Sequence, residues 1–291
     1  MTEPINFELP GVKKLIASDI LKDIDSAAIK LYTEPPRSHL GASIIGKACS
    51  RQLWYGFRWC EYESHNGRQM RLFNRGHKEE ERFIEWLSVA GYRVQAFNPD
   101  TGKQWRVSAL NGHFGGSLDG KIWINQKWNY QKPLLLEFKT NATGAGFNNL
   151  LANGCEIEKP IHFDQQCIYG HLEDLDYSLY LNVCKNDDNI YPEIVELDKE
   201  RGKRLVIKAE RIIFSKKPPE RLSNNSSHFE CKFCAFREIC FIGKPAQHNC
   251  RSCKNSTPVE NAEWHCAYWG QNIPKDFLIK GCEHWQDITK E

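Results

Sequence analysis

Residues 111–140 read NGHFGGSLDGKIWINQKWNYQKPLLLEFKT, and three side chains in this stretch organise the reading of the rest: Asp119, then Glu137 after seventeen intervening residues, then Lys139. Leu134, Leu135 and Leu136 form the short apolar run of a buried strand. The two-residue pleat of such a strand places Glu137 and Lys139 on one face near its end. Asn111-Gly112 is a tight-turn signal between QWRVSAL and the glycine-rich FGGSLDG, which sets Asp119 at a strand end where a turn with Gly120 begins. Two carboxylates brought together there repel each other unless a hard cation lies between them, and an oxygen-rich site of this kind suits Mg²⁺ or Mn²⁺. A lysine alongside can orient a metal-bound water or help deprotonate it. The spacing also arises by chance in many chains, where it means nothing, so its context decides.

The chain of 291 residues is long enough for one sizeable core with an appended module. Its 39 basic and 37 acidic side chains nearly cancel, so a surface for a polyanion has to be local. The opening MTEPINFELPGVKK lacks the basic-then-apolar pattern of an export signal, and no apolar run reaches the ~18 residues of a membrane helix. A cytoplasmic protein with no membrane contact is the expectation. In that compartment twelve cysteines are metal ligands or buried apolar residues rather than a disulfide framework.

Residues 1–40 carry helical spacing at Leu15, Ile16, Ile20, Leu21 and Ile24, closed by EPPRSHL, and read as an N-terminal helical arm that packs on the core. A second helix follows, with Ser43 as its predicted cap and Cys49 within it. In RLFNRGHKEEERFIEWLSVAGYRV the stripe Phe83, Ile84 and Leu87 puts Glu80 and His77 on the inward face, with Glu79 and Glu81 pointing away. An inward carboxylate is costly unless paired or metal-bound, so Glu80 is a candidate ligand with His77 as its competitor. YRVQAF, QWRVSAL, GSLDGKIWI and LLLEFK read as three or four adjacent antiparallel strands, and TNATGAGFNNLLANG as a flexible loop beside the site. Pro160 then opens a helix in which Gln165 and Tyr169 share a face. The strands YSLYLNV and YPEIVEL come next, which makes an α/β core with a mixed sheet flanked by helices. The helix from Asp198 to about Phe214 has eight basic residues against three acidic between Asp198 and Lys217, a face able to meet phosphates unless it is simply solvated.

Cys231, Cys234 and Cys240 are three potential ligands, one short of the four that zinc or an iron–sulfur cluster takes, and Cys49 is the candidate fourth. Cys250, Cys253, Cys266 and Cys282 form a further set with spacings suited to Zn²⁺, His265 and His284 being possible substitutes. The expected organisation is therefore an arm over residues 1–40, a core over 41–245 and a Cys-rich zinc-binding module over 246–291.

From Ser43 to Cys240 the chain resembles the RecB-like branch of the PD-(D/E)xK nuclease superfamily, and within it the iron–sulfur members that include CRISPR-adaptation nucleases. Asp119 with Glu137-Phe138-Lys139 looks like the signature, and Gln165 with Tyr169 looks like the QxxxY element. Gly76-His77-Lys78-Glu79-Glu80 is similar to the GxxxE element of phage recombination exonucleases, which favours Glu80, while some relatives use a histidine in this helix, which keeps His77 open. Cys49 with Cys231, Cys234 and Cys240 is similar to the split pattern that holds a [4Fe–4S] cluster. The resemblance implies a restriction-endonuclease-like core and an Mg²⁺- or Mn²⁺-dependent deoxyribonuclease, often an exonuclease on duplex ends or single strands. It implies roles in DNA recombination, repair or CRISPR-type processing, with a recombination or repair protein as partner. The metal would be held by Asp119, Glu137 and the Phe138 carbonyl, with Glu80 or His77 completing the site. The tail from Cys250 onward departs from the minimal family pattern. The rival readings are a non-catalytic DNA-binding scaffold and a nuclease acting on RNA.

Overall fold

The structure, a computed structural model, describes residues 7–62, 64–142 and 144–290. Along the chain run α1 (Val12–Tyr32), β1 (Leu40–Gly41), α2 (Ser50–Phe57), α3 (Gly67–Val89), β2 (Arg93–Gln95), β3 (Arg106–Ala109), β4 (Phe114–Ser117), β5 (Gly120–Trp123) and β6 (Leu134–Asn141). They are followed by α4 (Gly144–Glu158), α5 (Pro160–Glu173), β7 (Tyr177–Cys184), β8 (Ile190–Glu196) and α6 (Lys199–Ile213). The last part holds α7 (Phe229–Lys232), α8 (Arg237–Ile242), β9 (Ser256–Pro258), β10 (Trp264–Cys266), β11 (Gln271–Asn272) and α9 (Lys275–Leu278). Among the described residues no helix is long and apolar enough to cross a membrane.

Two compact units emerge, one of Met1–Pro35 with Glu63–Lys78 and one of Pro36–Tyr62 with Glu79–Glu291. Within the first, Asp25 of α1 forms an ion pair with Arg71 of α3. Along α1 the apolar positions Leu15, Ile20, Leu21 and Ile24 are exposed.

The second unit is built on a five-stranded sheet in the order β2-β5-β6-β7-β8. β6 and β7 run parallel and the other neighbours antiparallel, which gives the mixed α/β sheet that the strand pattern predicts. A parallel pair needs a crossover, and α4 and α5 supply it. The central position of β6 explains its unbroken apolar run: Leu134, Leu136 and Phe138 pack with Phe83, while Leu135 joins the larger core with Phe163, Ile168 and Tyr169. Proline at the first position of α5, where a backbone donor has no helical partner, sets where that helix begins.

Several sequence expectations change here. QWRVSAL does not join the main sheet; β3 pairs with β4, and β1 adds to β4, in a separate three-stranded sheet. The Asn111-Gly112 turn does connect β3 to β4, with Asn111 at φ 59°. Alternation alone shows that a segment is a strand and leaves open which sheet takes it. TNATGAGFNNLLANG is mostly helix α4, with Phe147 and Leu150 buried, because packing outweighs the weak helix propensity of its glycines and asparagines. Ser43 lies in a single 3-10 turn, and the cap of α2 is Cys49, whose Sγ accepts from the Gln52 N–H at 3.4 Å.

The basic helix α6 uses much of its charge internally. Lys199 binds Asp174 and Asp176 at 2.7 and 2.6 Å, Arg201 binds Asp164 at 2.5 Å, and Lys208 donates to the carbonyls of Ile45 and Lys47 at 2.8 and 2.7 Å. A helix rich in cations is therefore not an open phosphate-binding face along its length.

The Cys-rich end shares the core of this unit, since Trp264 and Ile288 belong to the main apolar cluster. Arg251, 1% exposed, lies among the rings of Phe57, Trp59 and Trp264 at 4.6, 4.2 and 4.7 Å. It donates to the carbonyls of Arg37, Ser38 and Phe57. Arg58, equally buried, donates to the carbonyls of Arg251 and Ser256 at 3.3 and 2.8 Å. Carbonyl oxygens and aromatic faces together offset the cost of burying these two cations.

α6 lies close on α5 because position 202 has no side chain: a Cβ at Gly202 would run into the Cys167 carbonyl. Gly202→Ala is expected to destabilise the protein by about 1–3 kcal/mol, read as a lower urea midpoint; an unchanged midpoint would show that the two helices can separate freely.

Candidate active site

Asp119 sits in the two-residue step from β4 into β5, so the two sheets meet at this carboxylate. Its Oδ2 accepts a hydrogen bond from the Phe138 N–H at 2.7 Å. That bond fixes the aspartate against the residue between Glu137 and Lys139. Glu137 is completely buried, and Lys139 next to it on the same face forms an ion pair with its Oε1. The other oxygen, Oε2, faces Gln165, whose Nε2 donates to it at 3.4 Å and to the Tyr169 hydroxyl at 3.2 Å. Tyr169 in turn donates to the Ser117 carbonyl at 3.0 Å. The chain of contacts thus returns to the segment that carries Asp119. Gly116 makes this closure possible, because a Cβ there would meet the Tyr169 hydroxyl.

On the opposite face of β6 the Phe138 ring stacks on Phe83 of α3, with centroids 5.0 Å apart and planes at 26°. This contact seats the second half of α3, including Glu80. Burial and then the Asp119 carboxylate push the Glu80 pKa up to about 7, against the pull of Lys139. Glu80 therefore shares the electrostatic environment of Asp119 and Lys139. His77 belongs to the first unit and its side chain is exposed. Glu79 does not point away as the stripe predicts. It is 5% exposed and pairs with Arg82 at 2.6 Å, since four residues back from Phe83 is position 79 and three back is position 80.

Glu137 and Lys139 are tightly coupled. Burial opposes the ammonium, but Glu137 and then Asp119 outweigh it and hold the Lys139 pKa above its ordinary value. Burial raises Glu137, Lys139 counters, and Asp119 adds to the rise. With Glu80 included, three carboxylates share one ammonium, and this is the imbalance that a divalent cation corrects.

A further group on the same face escaped the sequence reading. Tyr180 and Asn182 of β7 stand in register with Glu137 and Lys139 of β6, and His162 of α5 reaches the Tyr180 hydroxyl with Nδ1 at 3.0 Å. Alternation in YSLYLNV gives their common face, but not that this face is the one bearing Glu137.

Eight of the twelve cysteines fall in two groups. Cys49, Cys231, Cys234 and Cys240 line one small cavity, although Cys49 is 182 positions from Cys231 in the numbering. Cys250, Cys253, Cys266 and Cys282 line another of about 360 Å³, together with His284. Burial, and then Cys282, Cys253 and Cys266, push the Cys250 thiol up to about 11. His265 does not line that cavity and instead contacts Asn272 Oδ1 at 3.3 Å. All twelve cysteines are free thiols, and among the described residues no group of three or more His, Cys, Asp or Glu side chains is arranged to hold a metal ion.

No protein-family model matches the sequence, and no curated protein matches it. Among solved structures the chain is similar to SSO0001, at 16% identity and TM-score 0.45, over 79% of this chain and 98% of the other. It is also similar to the alkaline exonuclease LHK-Exo from Laribacter hongkongensis, at 12% identity and TM-score 0.42, over 65% of this chain and 89% of the other. LHK-Exo in complex with dAMP gives 14% identity and TM-score 0.43 over the same shares. These likenesses are loose.

The raised Glu80 pKa has a consequence for stability. A carboxylic acid that holds its proton more tightly when folded stabilises the fold at low pH, and that contribution is lost as pH rises from its ordinary value of 4.5 through about 7. Without divalent cations, Glu80→Gln is expected to melt above the parent at about pH 8 and to gain little at about pH 5. Equal shifts at both pH values would remove Glu80 from this carboxylate group.

Proposed function

We propose that this chain is a divalent-metal-dependent deoxyribonuclease, acting as an exonuclease, that hydrolyses phosphodiester bonds at the Asp119–Glu137–Lys139 centre. The observation that carries the reading is the hydrogen bond from the Phe138 amide to Asp119, which brings both carboxylates and the lysine of the motif to one end of the sheet. The choice of DNA rests on the resemblance to RecB-like nucleases.

The donors suit Mg²⁺ or Mn²⁺: two carboxylates, Asp119 and Glu137, with the Phe138 carbonyl, and Glu80 placed to contribute directly or through water. Mg²⁺ commonly takes one or two protein carboxylates and keeps several waters. When bound, the ion would supply Lewis acidity for the scissile phosphate and a water of lowered pKa. Lys139, kept protonated by its carboxylate neighbours, acts as a charged donor that orients the attacking water and stabilises charge developing on the phosphate. Gln165 and Tyr169 hold the second oxygen of Glu137 in place. His77 remains the competing choice for the position assigned to Glu80.

Cys49, Cys231, Cys234 and Cys240 would hold a [4Fe–4S] cluster, the support being that Cys49, remote in sequence, lines one cavity with the three local thiols. Cys250, Cys253, Cys266 and Cys282 would hold Zn²⁺, the support being that these four thiols line one cavity with His284.

The test is cleavage of end-labelled linear, nicked and single-stranded DNA, and of RNA, with and without Mg²⁺. The parent is expected to degrade DNA only with the metal, and Lys139→Ala, assayed as folded protein, to lose about 10²–10³-fold in kcat. Equal rates for the two proteins would sink the assignment, and preference for RNA would change the substrate. Protein purified without oxygen is expected to be brown and to contain iron. Zinc without iron in such material would move Cys231, Cys234 and Cys240 to a zinc site.

A further inference from the structure

Lys139 has three N–H donors, and its ammonium is paired with Glu137. On its other side, in the neighbouring parallel strand, Asn182 stands directly in register with it, and Tyr180 in register with Glu137. Both are buried, at 1% and 0% exposure. The Asn182 Nδ2 donates to the Tyr180 hydroxyl at 3.1 Å, whereas the Asn182 Oδ1 is a buried acceptor with no hydrogen-bond partner. Burial, and then Lys139, depress the His162 pKa to about 3, so its ring is neutral and Nδ1 can accept. The amide can only donate through Nδ2, so the hydroxyl proton goes to His162 Nδ1, 3.0 Å away. The phenol oxygen then keeps one lone pair over, beside a carboxamide oxygen that has nothing to bind.

An unfilled acceptor in the interior costs free energy comparable to a lost hydrogen bond, and here it belongs to the residue that stands in register with a cation that has spare donors. We propose that the Asn182 carboxamide oxygen and the Tyr180 hydroxyl form a second seat for the Lys139 ammonium, with His162 fixing the orientation of the seat. Lys139 passes from Glu137 to this seat when the Glu137 carboxylate is taken up by a cation. No bond to hydrogen is broken; the ammonium changes acceptors. Because the seat is neutral it accepts the ammonium without trapping it, so the charge stays available at the centre. His162, Tyr180 and Asn182 are thus positioning residues that act through Lys139. The inference rests on the metal-binding part of the reading above and not on the nature of the substrate.

The seat is tested with Mn²⁺ alone, by titration calorimetry on the full chain, using Tyr180→Phe, which removes one oxygen. Without the seat the lysine stays on Glu137 and competes with the ion, so Mn²⁺ affinity is expected to fall about tenfold, the scale of lost support behind a ligand. Cleavage assays are expected to show kcat falling by a similar factor with KM for DNA unchanged. In a Lys139→Met background the same substitution is expected to change neither quantity further. Asn182→Leu keeps the volume and removes the orphan oxygen, and gives the same Lys139-dependent loss if Tyr180→Phe does not fold. Parent-like Mn²⁺ affinity in these variants, or an equal loss with Lys139 absent, would overturn the seat. A parent that binds Mn²⁺ with this pattern but cleaves no nucleic acid would leave the seat standing and sink the nuclease reading.

Discussion

A carboxylate with no access to solvent has to be compensated by its surroundings, and in this protein that carboxylate is Glu137. Lys139 gives it a counter-charge from its own strand, and Gln165 gives it a donor from α5. Tyr169 then has to hold Gln165, and the Ser117 carbonyl has to receive Tyr169. Each need recruits a further element, so the environment of one side chain ties the main sheet, the helix over it and the smaller sheet into one arrangement. The amide of Phe138, bonded to Asp119, is the link that brings a second carboxylate into that arrangement.

The two faces of β6 divide the work. The face of Glu137 and Lys139 is polar and closed over by α5, while the face of Leu134, Leu136 and Phe138 is apolar and closed by α3 through Phe83. Apolar packing and the charged cluster thereby occupy alternate residues of a single strand. The excess of negative charge that results, three carboxylates sharing one ammonium, opposes folding at neutral pH.

The distal end of this unit is held by a different device. Arg58 and Arg251 are buried with backbone carbonyls and aromatic rings as partners, and they join α2 to the Cys-rich segment. α2 also begins at Cys49, so the helix that anchors the C-terminal segment is the helix that brings the remote cysteine to Cys231, Cys234 and Cys240. The groups of cysteines therefore stand on a scaffold with a core of its own.

Much of this was legible in the chain. The apolar run before Glu137, the pleat that aligns Lys139 with it, the turn at Asn111-Gly112 and the proline opening α5 are local signals, set by strand periodicity and backbone chemistry. Local periodicity also put Gln165 and Tyr169 on one face. It did not place β3 and β4 in their own sheet, make a helix of the glycine-rich segment at Gly144–Glu158, or bury Glu79 beside Glu80, since each depends on what the rest of the chain offers to pack against. The pairing of β7 with β6 in a particular register, which sets Tyr180 and Asn182 beside Glu137 and Lys139, was likewise decided only in the tertiary structure. Sequence alone determined which residues could act, because side-chain chemistry and near-neighbour geometry are carried by the chain itself; which of them meet was decided by long-range strand pairing, a contact between distant segments that no local pattern encodes.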